Sequence, residues 1–104
     1  MTGELVDLIR DAMRVVIDPE LGHNIVDLGF VYDISIVDDA VGITMTATSP
    51  GCPATGFLKD GVVNSVSRVP GVGSVDVEMT FDPPWTPERI APVVRASLGF
   101  AAVN

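Results

Sequence analysis

Cysteine, histidine and basic residues are scarce in this chain of 104 residues. The only cysteine is Cys52, so no disulfide can form within one chain. Lysine and arginine together number six against 14 aspartate and glutamate residues, which gives a formal net charge of −8. A surface of that charge repels phosphate backbones and anionic lipids. It therefore disfavours nucleic acid and membrane surfaces as partners, and it favours a basic or metal-bearing protein.

Long apolar runs are missing as well. No stretch has the roughly 20 apolar residues that a membrane-spanning helix needs. Met1 is not followed by the basic region and apolar core of a secretion signal. We therefore expect a reduced, cytoplasmic setting.

The chain nevertheless contains enough apolar material to fold. Hydrophobic residues make up 47% of the sequence and charged residues 19%, a balance typical of folded proteins. At this length we expect one domain, residues 1–104, with one modest core.

The spacing of apolar residues predicts an α+β fold in the order helix, strand, strand, helix, strand, helix. The predicted helices cover residues 2–17, 53–69 and 92–98, and a short turn at 87–90 precedes the last one. The predicted strands cover residues 30–37, 41–48 and 75–81. The apolar side of the second helix is predicted to comprise Phe57, Leu58, Val62, Val66 and Val69. We interpret Gly61 in that helix as allowing close packing on the sheet.

The connections between these elements predict the topology. A short polar turn joins the first two strands into an antiparallel hairpin. The second helix returns the chain, so the third strand runs parallel to the second. The result is a small three-stranded mixed sheet, a hairpin plus a βαβ unit, with the helices on one face. Loops 18–29, 48–53 and 82–85 then converge at one edge, where open sheets place functional sites.

The cysteine lies in the second of these loops, within the stretch TSPGCP at residues 48–53. We place Cys52 at the N-cap of the second helix and Pro53 at its first position, where proline needs no backbone donor. A thiol there faces free backbone N–H groups and the positive end of the helix dipole, which favour the thiolate. The alternative is that Cys52 only fills a tight turn. The convergence of the loops favours the functional interpretation.

Three carboxylates, those of Asp18, Glu20 and Asp27, lie in the first loop. They can bind a cation, polarise a water or pair with a partner, or they can cap local turns, as aspartate commonly does in loops. For each residue taken alone we favour the capping role. We interpret His23, in the same loop, as a solvated side chain and not as a metal ligand.

Five ordered motifs resemble the signature of the SufT/PaaD-like family of iron–sulfur cluster assembly factors, the metal–sulfur cluster biosynthesis domain. They are DPE at 18–20, NIVDLG at 24–29, TxxxCP at 48–53, VPGV at 69–72 and DPPW at 82–85. The resemblance extends from the first helix to about Gly99. It implies a cytoplasmic α+β domain that is not an enzyme and that helps load or repair clusters on client proteins. Because the cysteine-rich C-terminal extension of the phenylacetate-pathway members is not in this sequence, we expect a stand-alone SufT-like member.

The resemblance also implies which residues matter. Cys52 is the functional cysteine and a possible iron–sulfur ligand. The other implied positions are Asp18, Glu20, Asp27, Thr48, Pro53, Asp82 and Trp85. An iron–sulfur cluster normally needs four ligands, mostly thiolates, and this chain has one cysteine. We therefore expect a cluster that is bound transiently, with the client supplying other ligands, or shared between two chains of a homodimer, with carboxylates or a small thiol completing the shell. The expected partners are iron–sulfur carrier or scaffold proteins and client apoproteins.

Two other functions stay open at this point. In one, the domain binds no metal and only docks cluster carriers to clients. Trp85 and the prolines before it then form a rigid partner surface, although Trp85 can equally plug the end of the core. In the other, less favoured one, the protein is a cysteine hydrolase with Cys52 as nucleophile and His23 as base. Asp18 or Asp27 would then orient the base.

Overall fold

The computed structural model describes residues 2–48 and 55–97. Its elements follow the predicted order, so the α+β prediction is confirmed. They are helix α1 (Thr2–Met13), strands β1 (Val31–Val37) and β2 (Ala40–Met45), helix α2 (Thr55–Ser67), strand β3 (Ser74–Met79), a 3-10 turn (Pro87–Arg89) and helix α3 (Pro92–Ser97). Within the described ranges, no helix is long and apolar enough to cross a membrane.

The three strands form one mixed sheet with β2 in the centre. Strand β1 runs antiparallel to β2, from Val31 opposite Met45 to Val37 opposite Ala40. Strand β3 runs parallel to β2, and Met45 has Met79 as its neighbour. The predicted hairpin plus βαβ topology is therefore confirmed.

One face of this sheet is covered and the other is open. The covered face and the helices share a core whose largest fully buried residues include Ile9, Met13, Phe30, Ile43, Met45, Leu58, Val62 and Val66. On the open face, Asp33, Thr44 and Glu78 are neighbours across the three strands. Both carboxylates there are exposed. This alternation places the helices on one face of the sheet, as predicted.

Helix α1 is shorter than the predicted 2–17 because the chain after Met13 pairs with another segment. The backbone N–H of Val16 bonds to Met13 O at 3.0 Å, a tight closing turn. Ile17 then forms an antiparallel bridge with Asn24. Two further β-branched residues, Val15 and Val16, precede Ile17, and such a run loses side-chain freedom in a helix. The predicted helix end was therefore wrong by one turn.

The predicted ends of two strands also differ from the structure. Strand β2 ends at Met45 and not at residue 48, although Thr46 N still donates to Phe30 O at 2.8 Å. Strand β3 covers Ser74–Met79 and not 75–81. Thr80 N donates to Met45 O at 2.8 Å, so the ends of β2 and β3 remain joined.

The predicted apolar side of helix α2 included one residue that is not buried. Leu58, Val62 and Val66 are buried as predicted, but Phe57 is 61% exposed. Gly61 contacts Val16 at the end of α1 and not the sheet, since a Cβ at this position would lie 3.1 Å from Val16 Cγ1. The predicted placement of Cys52 and Pro53 at the helix start lies outside the described residues.

Candidate functional site

The loop of residues 18–29 contacts both of the other predicted loops. The hydroxyl of Thr48 donates to Glu20 Oε1 at 3.1 Å. The indole Nε1 of Trp85 donates to Leu28 O at 2.7 Å. The predicted convergence is thus confirmed for the described residues. Glu20 and Thr48 meet at one part of this edge, and Leu28 and Trp85 meet at another.

The first loop is held in place by its own backbone. Asp18 N donates to His23 O at 2.9 Å, and Gly22 N donates to Asp18 O at 2.7 Å. Gly22 has a φ of 73°, a conformation that favours glycine because it has no side chain to clash. The short reversal fixes where the DPE motif lies relative to Thr48.

Asp18 is a buried carboxyl, only 1% exposed. Its Oδ1 accepts from Glu20 N at 3.3 Å, which is a local turn contact of the kind expected from a capping aspartate. Its Oδ2 is buried and has no hydrogen-bond partner in the described part of the chain. Burial raises the pKa of this carboxyl, and the Glu20 N–H opposes the shift. Asp18 therefore holds a proton more readily than an ordinary aspartate and has one acceptor oxygen free.

Asp27 is engaged on the other side of the loop. Its Oδ2 accepts from Asn24 Nδ2 at 3.0 Å, and its own N–H donates back to Asn24 Oδ1 at 2.9 Å. Its Oδ1 forms an ion pair with Arg14. The hydrogen bond from Asn24, with the contribution of Arg14, lowers the pKa of the Asp27 carboxyl. These contacts support the capping interpretation. The structure does not bring this carboxylate to the Glu20–Thr48 pair.

Trp85 closes the apolar end of the core. Its ring packs edge-on against buried Phe30, with centroids 5.3 Å apart and an interplanar angle of 82°. The side chain is half-buried, and its N–H satisfies the carbonyl of Leu28. This favours the core-plugging role over a free partner surface. The functional role of Trp85 stays a prediction.

A concave surface of about 450 Å³ is lined by Gly29, Val31, Tyr32, Pro83 and Arg89. The Tyr32 hydroxyl donates to Pro83 O at 2.9 Å, and the Arg89 guanidinium lies 4.7 Å from the centre of the Tyr32 ring. Sequence reasoning assigned Tyr32 and Arg89 only to a strand and a turn. Their pairing joins positions 57 residues apart, so no local pattern identifies it.

The remaining predicted positions are exposed or not described. Asp82 is exposed, and its backbone N–H bonds to Thr80 Oγ1 at 3.3 Å. Cys52 and Pro53 lie outside the described residues, between Thr48 and the start of α2 at Thr55. Within residues 2–48 and 55–97, no three histidine, cysteine or acidic side chains come together in a way that could hold a metal ion.

The sequence is similar to several iron–sulfur proteins. It is 38% identical over 100 residues to the Fe-S protein maturation auxiliary factor YitW of Bacillus subtilis, covering 95% of this chain and 98% of the relative. It is 37% identical to the Fe-S protein maturation auxiliary factor SufT of Staphylococcus aureus, covering 82% of this chain and 98% of the relative. It also matches 26% of a longer iron–sulfur cluster carrier protein from Synechocystis, with 33% identity over 89% of this chain.

A solved structure shows the same fold. The crystal structure of a domain of unknown function from Bacillus anthracis superposes with a TM-score of 0.89 at 37% identity, covering 93% of each chain. The model of one protein family, described as iron–sulfur cluster assembly protein, matches residues 7–78. That match spans both the DPE loop and the cysteine stretch of the site. The chain therefore belongs to the iron–sulfur cluster assembly protein family.

Proposed function

We propose that this protein is an auxiliary factor that helps assemble iron–sulfur clusters or transfer them to client proteins. The cluster is cargo, and Cys52 is its transient or shared ligand. The observation that carries the proposal is the Thr48–Glu20 hydrogen bond of 3.1 Å. This bond ties the stretch that leads to the only cysteine to the loop that holds Asp18, whose buried Oδ2 has no hydrogen-bond partner among the described residues. Two relatives named as maturation factors support the same role, because this chain matches nearly the whole length of each.

The number of available ligands determines how this chain can bind a cluster. One cysteine supplies one of the roughly four ligands that a cluster needs. Glu20, which accepts a hydrogen bond from Thr48 at the start of the cysteine stretch, is a candidate oxygen ligand, and a client or a second chain supplies the other thiolates. Incomplete ligation suits a factor that hands its cargo on, because a fully ligated cluster is held too tightly to leave. The proposed partners are carrier or scaffold proteins and client apoproteins.

The test is anaerobic reconstitution with iron and sulfide, followed by absorbance. We expect the natural protein to take up less than one cluster per chain and Cys52→Ser to take up none. His23→Ala is the matched control because it removes the only imidazole, and it should load normally. If the natural protein takes up no cluster even with a loaded carrier present, ligation by Cys52 is wrong.

A metal-free adaptor is the second candidate. The Synechocystis relative named as an iron–sulfur cluster carrier protein supports it, because the segment that matches this chain is only 26% of that longer protein. For an adaptor, Cys52→Ser would leave carrier binding and client activation intact.

The hydrolase alternative has little support in the described structure. Asp27 is occupied by Asn24 and Arg14, and it is the backbone of Asp18 that meets the backbone of His23. Among the described residues, neither carboxylate accepts a hydrogen bond from the His23 ring. The relatives are named as maturation factors or carriers.

A further inference from the structure

A groove of about 400 Å³ lies between the end of α1 and the outer side of α2. Three large apolar side chains line it and remain exposed: Val15 at 72%, Ile17 at 45% and Phe57 at 61%. Isolated apolar residues are ordinary on protein surfaces, but a cluster around a concave surface marks an interaction site. This groove is separate from the concave surface at Tyr32 and Arg89.

The groove has the length of a short helix. Phe57, Gly61 and Asn64 line it at spacings of four and three residues, one stripe along α2, and Arg68 continues that line directly after the last helical residue. Eleven residues at 1.5 Å each give a length of about 16 Å, or roughly three helical turns. At its centre Gly61 packs closely on Val16, since a Cβ at position 61 would lie 3.1 Å from Val16 Cγ1, so the floor of the groove carries no side chain from α2 there. These dimensions suit a partner helix lying along α2.

The charge of the groove selects the occupant. Among the described residues that line it, Arg68 is the only charged one, and it lies at the end remote from Phe57. Within the described chain, Arg68 forms no ion pair. A carboxylate on the partner helix would pair with it. The same groove of a second copy is a poor occupant, because none of its described lining residues is a carboxylate that could pair with Arg68.

The residues that line the groove are close in sequence to the proposed site residues. Ile17 directly precedes Asp18, and Phe57 follows Cys52 by five residues. In the chain, the two segments that line the groove are therefore close neighbours of Asp18 and of the stretch that contains Cys52. We infer that this groove docks an amphipathic helix of the partner protein, with apolar side chains at Val15, Ile17 and Phe57 and a carboxylate at Arg68. The inference rests on the proposed function.

Two designed 14-residue helical peptides test the chemistry directly. Both carry leucines at positions 3, 6, 7 and 10, and they differ only in a glutamate or a lysine at position 14. Binding to the ¹⁵N-labelled full chain is followed by NMR. We expect the glutamate peptide to shift signals of the groove residues and to bind about tenfold more tightly than the lysine peptide. Arg68→Glu should reverse that preference.

Phe57→Gln should weaken binding of the glutamate peptide about tenfold or more, because it removes the largest apolar wall of the groove. Val37→Gln is the matched control, since Val37 is 70% exposed on β1 and does not line the groove. It should bind as the natural protein does. Unchanged thermal unfolding of Phe57→Gln shows that the loss is not a folding defect.

Three results would overturn the inference: no binding at millimolar peptide, shifts located elsewhere on the chain, or equal binding of both peptides. A dimer in sedimentation that Phe57→Gln dissociates would also overturn it, because the occupant is then a second copy. Cys52→Ser should bind the peptide normally, and Phe57→Gln should still load cluster. If the natural protein binds the peptide but loads no cluster, the proposed cluster ligation is wrong and the docking groove stands. If it loads cluster but does not bind the peptide, the docking groove is wrong and the cluster ligation stands.

Discussion

The Thr48 hydroxyl and the Glu20 carboxylate meet at 3.1 Å although 28 residues separate them in the chain. This contact joins the segment before the only cysteine to the DPE motif. Both groups are accessible to solvent, so the bond adds little to stability and acts chiefly on position.

Breaking this bond should therefore alter function more than folding. We expect Thr48→Val to change the free energy of unfolding by less than about 1 kcal/mol and to slow cluster uptake. A double-mutant cycle with Glu20→Ala measures the coupling, and Thr44→Val on the open sheet face is the matched control. Unaltered uptake and alkylation of Cys52 in Thr48→Val would show that the bond has no positional role.

Trp85→Phe separates the ring of Trp85 from its N–H group. The substitution keeps an aromatic ring near Phe30 but leaves the carbonyl of Leu28 without its donor, which should cost about 1–2 kcal/mol in urea denaturation. Tyr32→Phe removes a more exposed hydrogen bond, to Pro83 O, and should cost less. Equal losses of unfolding free energy in the two variants would mean that the hydrogen bond to Leu28 O contributes no more to stability than the exposed one to Pro83 O.

The pH dependence of stability should carry a signature of Asp18. Because burial raises its pKa in the folded state, the stability it contributes is present below its ordinary value of 3.8 and is lost as pH rises through the folded value. Asp18→Asn removes the titration, so it should gain stability relative to the natural protein as the pH increases. Urea denaturation from acidic to neutral pH measures the difference.

Asp27→Asn is the control of opposite sign for this experiment. The pKa of Asp27 is lowered in the folded state, so its contribution is present above the ordinary value and disappears as pH falls. Its side chain is 30% exposed, so the effect should stay below about 1 kcal/mol. Parallel curves for Asp18→Asn and the natural protein would contradict the assignment of Asp18.

Two glycines with similar backbone angles provide a matched pair. Gly22 has a φ of 73° with open space around it, and Gly29 has a φ of 78° with Arg89 O only 2.3 Å from where a Cβ would be. Gly22→Ala should cost about 1–2 kcal/mol for the left-handed backbone alone. Gly29→Ala should cost clearly more, since the 3-10 turn at Pro87–Arg89 must move away. Equal losses of thermal stability would refute this close approach.

The residue pattern alone determined the order of elements and the sheet topology. Alternation with a period of two and helical spacing are local properties, so each element was found from its own residues. The antiparallel hairpin and the parallel return of β3 followed from how the elements are connected. The five ordered motifs also identified the family, because they combine glycines, prolines, acidic residues and the cysteine in a fixed order.

Only the tertiary structure decided which way the loop side chains face. Asp27 pairs with Arg14, 13 positions away, and Trp85 bonds to Leu28, 57 positions away. The end of α1 depended on the pairing of Ile17 with Asn24, and the exposure of Phe57 depended on which side of α2 met the core. Each of these outcomes is a contact between distant segments, and its energy appears only when the core has brought those segments together.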